Sequence, residues 1–171
     1  MMRIYNTLSR SIEEFKPISD KKVRMYTCGP TVYREIHIGN LRTYITSDIL
    51  VRVLKSHGYD VVHAMNITDV GHFRYSSELN KVIDPVMQEA KESNVTPLEI
   101  SQKYTKIFLG DAKKVNIISP DVMPKATEHI KDMIEMIEIL IEKGYAYITE
   151  GNVYFDVAKF KNYGRLSGNT L

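Results

Sequence analysis

The hydrophobic positions of this 171-residue chain change period several times, and each change marks a predicted element. KVRMYTCG, residues 22–29, is an apolar, β-prone run that halts at Gly29-Pro30, which predicts a strand. From Gly39 to Lys55 the apolar residues Leu41, Tyr44, Ile45, Ile49, Val53 and Leu54 recur at helical spacing, and His57-Gly58 closes the run. YDVVHAMNI, residues 59–67, predicts a second strand, with its Val61-Val62 and Ala64-Met65 pairs buried on both faces. Strand, helix and strand in about 45 residues predict a right-handed parallel βαβ unit.

After Asp69 the pattern changes. GHFRYSSELN is polar and predicts a loop. Asp84-Pro85 opens a short helix to about Glu92. Thr96-Pro97-Leu98-Glu99 is a capping box with proline at the first helical position. The helix it starts places Ile100, Tyr104, Ile107, Phe108, Ala112 and Val115 on one face. A longer helix from about Lys125 to Lys143 carries the stripe Ile130, Met133, Ile134, Ile137, Leu140 and Ile141, and Gly144 ends it. Met123, Met133 and Met136 lie in or beside that stripe and are expected in a core, while Lys125, Lys131 and Lys143 are expected in solvent. YAYI and NVYFDV, around a turn at Glu150-Gly151, predict a β-hairpin, and KNYGRLSGNTL reads as a loop. No later strand extends the parallel sheet. A sheet of two or three parallel strands leaves an open edge and a bare face. The expectation is half of an α/β fold, the rest absent or on another chain, with the open edge available for self-association.

Composition narrows the function without naming it. An apolar fraction of 43% supports a core. Net charge is +2, from 23 basic and 21 acidic residues, too balanced to argue for nucleic acid by charge alone. One cysteine excludes an internal disulfide framework and suits a reducing compartment. No apolar run approaches the roughly 18 residues of a membrane span, and the N-terminus has no signal-peptide core. A soluble, cytoplasmic protein with no membrane partner is expected.

The candidate chemistry gathers in CGPTVYREIHIGNLRTY, residues 28–44. Ligands of open α/β sheets bind beyond the carboxyl ends of the strands, where this segment lies. A helix N-terminus there presents unpaired N–H groups suited to phosphate. His37 and Asn40, three apart, share a side of that helix start and can each donate to a phosphate oxygen, and Gly39 lets a nucleotide approach the backbone. The chemistry suggested is attack on the α-phosphate of ATP with departure of pyrophosphate, the developing charge met by preorganised donors. His37 is equally open to a plain capping role. Cys28 is open to two readings, a small buried hydrophobe or a thiolate in a cleft. Zinc takes about four ligands, and His37, His57, His63, His72 and His129 show no ligand spacing with Cys28.

Taken together, these motifs resemble the cysteinyl-tRNA synthetases, a family of class I aminoacyl-tRNA synthetases. The resemblance runs through IYNTLSR, MYTCGPTVY, HIGNLRTY, HGYDVVHAMNITDVGH, ISPDVMPKATEHI, IEKGYAYITEGNVYFDV and YGRLSG, in that order. It implies the first half of the Rossmann-like nucleotide-binding catalytic fold over residues 1–75, and over 76–171 a helical insertion ending in a β-hairpin and loop. It implies Cys28 as first ligand of a zinc ion that binds the substrate thiolate, a preference zinc chemistry supports. His37 and Asn40 match the family's ATP-phosphate signature as catalytic residues. Thr31 and Gly39 join them at ATP, and Gly29 and Thr68 join Cys28 at the amino acid. Asp69 is implied as a supporting residue or a cap. The implied partners are cysteine, ATP with magnesium, and tRNA(Cys).

Departures from the family pattern are Asn40 where many members have histidine, Arg34-Glu35 after the VY pair, and Asn80 before Lys81. The family's other zinc ligands, its second catalytic half and its tRNA-binding domains are not found in these residues. The isolated chain is therefore expected to be inactive and to bind zinc weakly or not at all. Two further readings stay open: a related ligase that joins cysteine to an amino sugar in thiol-cofactor synthesis, and a truncated nucleotide-binding paralog without catalysis.

Overall fold

The structure, a computed structural model, describes residues 2–76 and 81–169. These residues form two packing units, one of residues 17–129 and one of residues 1–16 with 130–171.

In the unit of residues 17–129, strand β3 (Lys22–Thr27) lies parallel to β4 (Asp60–Met65), with Lys22 opposite Asp60 and Thr27 opposite Met65. Helix α1 (Ile38–Ser56) connects them. The parallel pair is the one the sequence predicts, but β4 alternates: Val61, His63 and Met65 are buried while Val62 is 43% exposed. Only one face of this small sheet is covered, so the expected double-sided burial fails. The side of β4 away from β3 is not open either. Met65 N–H donates to Val122 O at 2.9 Å and Ile67 N–H to Pro124 O at 2.8 Å, which makes parallel bridges from Ala64 to Val122 and Ile67 to Lys125. Only the outer side of β3 lacks a strand partner among the described residues.

Helix α1 buries only part of the expected apolar stripe, Tyr44 and Leu54, and adds Asp48 and Val51 to it. Tyr44, Asp48, Val51 and Leu54 are buried, while Ile45, Ile49 and Val53 are at least a third exposed. A carboxylate takes a core position because two donors meet it. Asp48 accepts from Ile118 N–H at 2.8 Å and from Arg52 Nε at 2.7 Å, and Arg52 Nη2 continues to Asn116 O at 2.6 Å. The Asp48 pair thus pins the loop that leads to the segment beside β4.

The stretch expected as a loop after Gly71 includes a short antiparallel ladder, β5 (Arg74–Ser76) with β6 (Lys81–Ile83). Helix α2 (Pro85–Glu92) is capped by Asp84, which accepts from Val86 N–H at 2.8 Å. Helix α3 (Pro97–Lys114) starts on the Thr96–Glu99 capping box. It buries Ile100, Ser101, Phe108 and Ala112. Val115, expected on the same face, is the helix C-cap and 42% exposed. Two apolar clusters result. Val32, Tyr44, Met65, Ile67 and Phe108 pack together with Met123, and Val86, Ala90 and Ile100 pack with Tyr33 and Tyr104.

The second unit holds two further antiparallel pairs. Strands β1 (Arg3–Asn6) and β2 (Ser11–Glu14), which the pattern does not announce, pair Arg3 with Glu14 and Asn6 with Ser11. After helix α4 (Ile130–Glu142), β7 (Ala146–Thr149) pairs with β8 (Asn152–Phe155) across Glu150 and Gly151, both at positive φ. No residue of α4 is buried, and Met133 and Met136 are 45% and 65% exposed. The expectation that they are core residues is therefore corrected: among the described residues β7 is the element that packs most on this helix, and one small strand cannot cover its stripe. No helix among the described residues is long and apolar enough to cross a membrane.

Candidate functional site

Two backbone junctions build the site, both beyond the carboxyl ends of the parallel strands. One runs from Cys28 to His37, between β3 and α1, and the other from Asn66 to Asp69, after β4. Three interactions lace them. Gly29 N–H donates to Asn66 Oδ1 at 2.8 Å, Thr68 N–H to Pro30 O at 3.0 Å, and Val32 N–H to Thr68 O at 3.2 Å. Thr31 and Thr68 thereby form a parallel bridge. Gly29 is required at its position, because a Cβ there would stand 1.7 Å from Asn66 O. Asn66 also accepts from the Tyr26 hydroxyl at 2.9 Å and donates to Thr68 Oγ1 at 2.9 Å.

The start of α1 is a second built feature. His37 is its N-cap, so the helix begins one residue before Gly39. His37 Nδ1 accepts from Gly39 N–H at 3.1 Å, and Asn40 Oδ1 accepts from His37 N–H at 3.2 Å. A backbone N–H can only donate, so Nδ1 is an acceptor and the neutral ring carries its proton on Nε2. By the same logic Asn40 keeps both amide protons. Capping and phosphate binding therefore do not compete: the cap uses Nδ1 and Oδ1, leaving Nε2–H and Nδ2–H as donors. A Cβ on Gly39 would press on the His37 ring at 2.9 Å.

A cleft of about 230 Å³ opens beside these junctions, lined by Gly29, Pro30, Thr31, Tyr33, Arg34, Glu35, Ile36, Asn40, Tyr44 and His72. Of the residues singled out from the sequence, Gly29, Thr31 and Asn40 meet there. Thr68, His37 and Gly39 do not line it: Thr68 is bonded to the 29–32 segment behind it, and His37 and Gly39 are tied to the helix start by the cap. Cys28 is exposed and does not line the cleft, its Sγ lying 3.8 Å from Gly29 O. Tyr33 forms one wall, with His72 stacked at 6.4 Å and the Arg34 guanidinium 5.2 Å from its ring centre. The departure at Asn80 lies outside the described residues. Asp69 accepts from Thr127 N–H at 3.0 Å and Thr127 Oγ1 at 2.6 Å, so it caps the 3-10 turn at Ala126–His129.

Two protonation states around the site follow from burial. Tyr44 is buried against Phe108, and loss of solvent, with the negative charge of a Cys28 thiolate adding to it, pushes its phenol up to about 12. Burial holds His63 below the usual imidazole range, against the opposing pull of Asp121 and Asp48. His63 Nε2 lies 2.8 Å from Thr27 Oγ1, next to Cys28. Among the described residues no group of three His, Cys, Asp or Glu is placed to hold a metal ion. One exposed thiol is not a zinc site, so the residues described do not fit the zinc ion that the resemblance implies.

Sequence reasoning gave no role to Asn66, Tyr44 or His72. Asn66 had a signal, since it opens the NITD motif at a strand end, where side-chain amides are well placed to tie neighbouring loops. Tyr44 and His72 had none beyond helical spacing and residue type.

The comparisons with known proteins bear on the whole arrangement. Residues 14–171 match the family model described as tRNA synthetases class I (C) catalytic domain. The chain is 47% identical over 170 residues to a protein of Pyrococcus horikoshii named cysteine–tRNA ligase, covering 99% of this chain and 33% of that protein. A Treponema denticola protein of the same name is 45% identical, with 99% and 34% covered. A third, from Borrelia turicatae, is 46% identical, with 100% and 35% covered. The chain thus spans about a third of the length of the curated relatives it matches.

Proposed function

The chain belongs to the class I (C) tRNA synthetase catalytic-domain family, and from that premise we propose that it is the N-terminal part of a cysteine–tRNA ligase. The reaction proposed has two steps. A carboxylate oxygen of cysteine attacks the α-phosphorus of magnesium-bound ATP, the bond to the bridging oxygen breaks, and pyrophosphate leaves with the electron pair. A terminal ribose hydroxyl of tRNA(Cys) then attacks the acyl carbon of cysteinyl-adenylate, and AMP departs.

What carries this proposal is the start of α1: a capping box that spends Nδ1 of His37 and Oδ1 of Asn40 and leaves a donor on each, with Asn40 in the lining of a polar cleft. Those donors are assigned to phosphate oxygens, whose charge changes in the first step. Preorganised donors stabilise such charge without moving at the moment of reaction. Thr31 and Gly39 are assigned to ATP, and Cys28, Gly29 and Thr68 to the amino acid. A zinc ion on Cys28 rests on the family resemblance alone, and no step is routed through it. Residues 1–75 are assigned to the first half of a Rossmann-like catalytic fold, and 76–171 to the insertion with its terminal hairpin. The protein is placed in the cytoplasm, where its substrates are. Any pairing of copies through the sheet is assigned to the outer side of β3, because the 121–126 segment already lies along β4.

The test is ATP–pyrophosphate exchange with cysteine or serine, on the full-length protein that carries this chain and on the 171 residues alone. Exchange with cysteine but not serine in the full-length protein, and none in the shorter chain, is expected. A folded full-length protein that exchanges with neither amino acid, or equally with both, overturns the proposal.

A further inference from the structure

We propose that Asn66 is a positioning residue for the amino-acid substrate: by donating to Thr68 it frees the Thr68 hydroxyl proton for an acceptor oxygen of that substrate, while its carbonyl holds Gly29 in place. This deepens the function proposed above and rests on it.

Each donor around Asn66 needs an acceptor, and the chemistry of each group fixes which is which. Gly29 N–H can only donate, and at 2.8 Å it fixes Oδ1 of Asn66 toward the end of β3. The Tyr26 hydroxyl at 2.9 Å meets the same oxygen, which has no proton, so this hydroxyl donates too. Both lone pairs of Oδ1 are then used. The other half of the amide must be nitrogen, and it lies 2.9 Å from Thr68 Oγ1. An amide nitrogen cannot accept, so Thr68 accepts there. A hydroxyl that accepts from its neighbour still has its own proton to give. Among the described residues nothing takes it. Asn66 and Thr68 are half-buried and flank the fully buried Ile67, so both side chains leave the strand on the side away from the core. One side chain thus sets both the position of Gly29 and the polarity of Thr68.

Asn66→Asp tests the polarity with almost no change of shape. The carboxylate still accepts from Gly29 and Tyr26, but it now takes the Thr68 proton instead of sparing it. In the full-length protein the KM for cysteine in pyrophosphate exchange is expected to rise about tenfold, the worth of one hydrogen bond, with the KM for ATP within about twofold. Thr68→Val, which has no hydroxyl, is expected to do the same. The double variant is expected to be no worse than either single one, because both act through one proton. An unmoved cysteine KM in Asn66→Asp, or losses that multiply in the double variant, overturns the proposal.

Hydrogen exchange reads the same contacts without the reaction. The Gly29 amide is expected to exchange about tenfold faster in Asn66→Ala and at the wild-type rate in Asn66→Asp. Equal rates in all three proteins overturn the proposal. A wild-type protein without cysteine-dependent exchange overturns the function proposed above instead, and the amide rates still decide whether Asn66 holds Gly29.

Discussion

Replacing Gly29 by alanine adds one methyl group at the point where the two junctions touch. Its carbon would lie 1.7 Å from Asn66 O, 2.8 Å from Asn66 C and 2.9 Å from Met65 Cγ. Two of those atoms are backbone, so no side-chain rotation relieves the clash, and the ends of β3 and β4 must part. Overpacking of this kind costs about 1–3 kcal/mol. Parting the strands also lengthens the bond from Gly29 N–H to Asn66 Oδ1, which adds about 1 kcal/mol. The sum, about 2–4 kcal/mol, is a large share of a typical folding stability. For a chain of this size it corresponds to a fall in Tm of roughly 4–16 °C. The assay is thermal and urea unfolding of the 171-residue chain, with Gly110→Ala as the reference. Gly110 sits inside α3 with nothing within 4 Å of an added Cβ, so alanine there is expected to stabilise by about 0.5–1 kcal/mol. A Gly29→Ala protein that loses less than about 1 kcal/mol would show that the junctions are not held in contact as described, and the reasoning about Asn66 would fall with it.

Two further outcomes are expected. Asn40→Asp keeps the oxygen that caps His37 but loses both amide protons, so the Tm stays within about 2 °C while pyrophosphate exchange in the full-length protein falls about a hundredfold, as when one preorganised donor is removed. Equal loss of stability and activity would refute the division of labour between cap and donor atoms. His63 has its folded-state pKa below its unfolded value, so the unfolded chain binds the extra proton first. Stability is therefore expected to fall as pH drops from about 6.5 toward the folded value and to level off below it. The gap in urea midpoint between wild type and His63→Leu is expected to narrow over that window, and a gap constant from pH 7 to 5 would refute the assignment.

How much of this was legible depended on whether local pattern and tertiary packing agreed. The parallel pair β3–β4 and the starts of α2 and α3 were readable because caps and strand breaks are local events. The buried face of α1 was readable only at Tyr44 and Leu54, since Asp48 looks polar in sequence and is held inward by Ile118 and Arg52, the former 70 residues away. The same limit hid the segment beside β4, whose Val122–Lys125 run contains a proline and has no strand periodicity of its own. β4 alternates because one face stays bare, a fact about neighbours rather than about Val62. At the site, residue type pointed to His37 and Asn40 but not to the division of their atoms between capping and free donors. Asn66 stood in the NITD motif, but its role was not legible there, because it lies in the order of its donor and acceptor bonds.

The seating of residues 121–126 along β4 also sets a schedule for synthesis. β4 is complete when residue 65 is made, yet the partner for its outer edge arrives roughly 60 residues later. At about 5–20 residues per second the ribosome needs about 3–12 s to supply it. For that interval the nascent chain carries a strand whose hydrogen-bonding edge is ready to template against another chain. Helices α2 and α3 emerge in the same interval and, being local, fold without waiting. Slower decoding between residues 65 and 125 would lengthen that exposure, and faster decoding would shorten it.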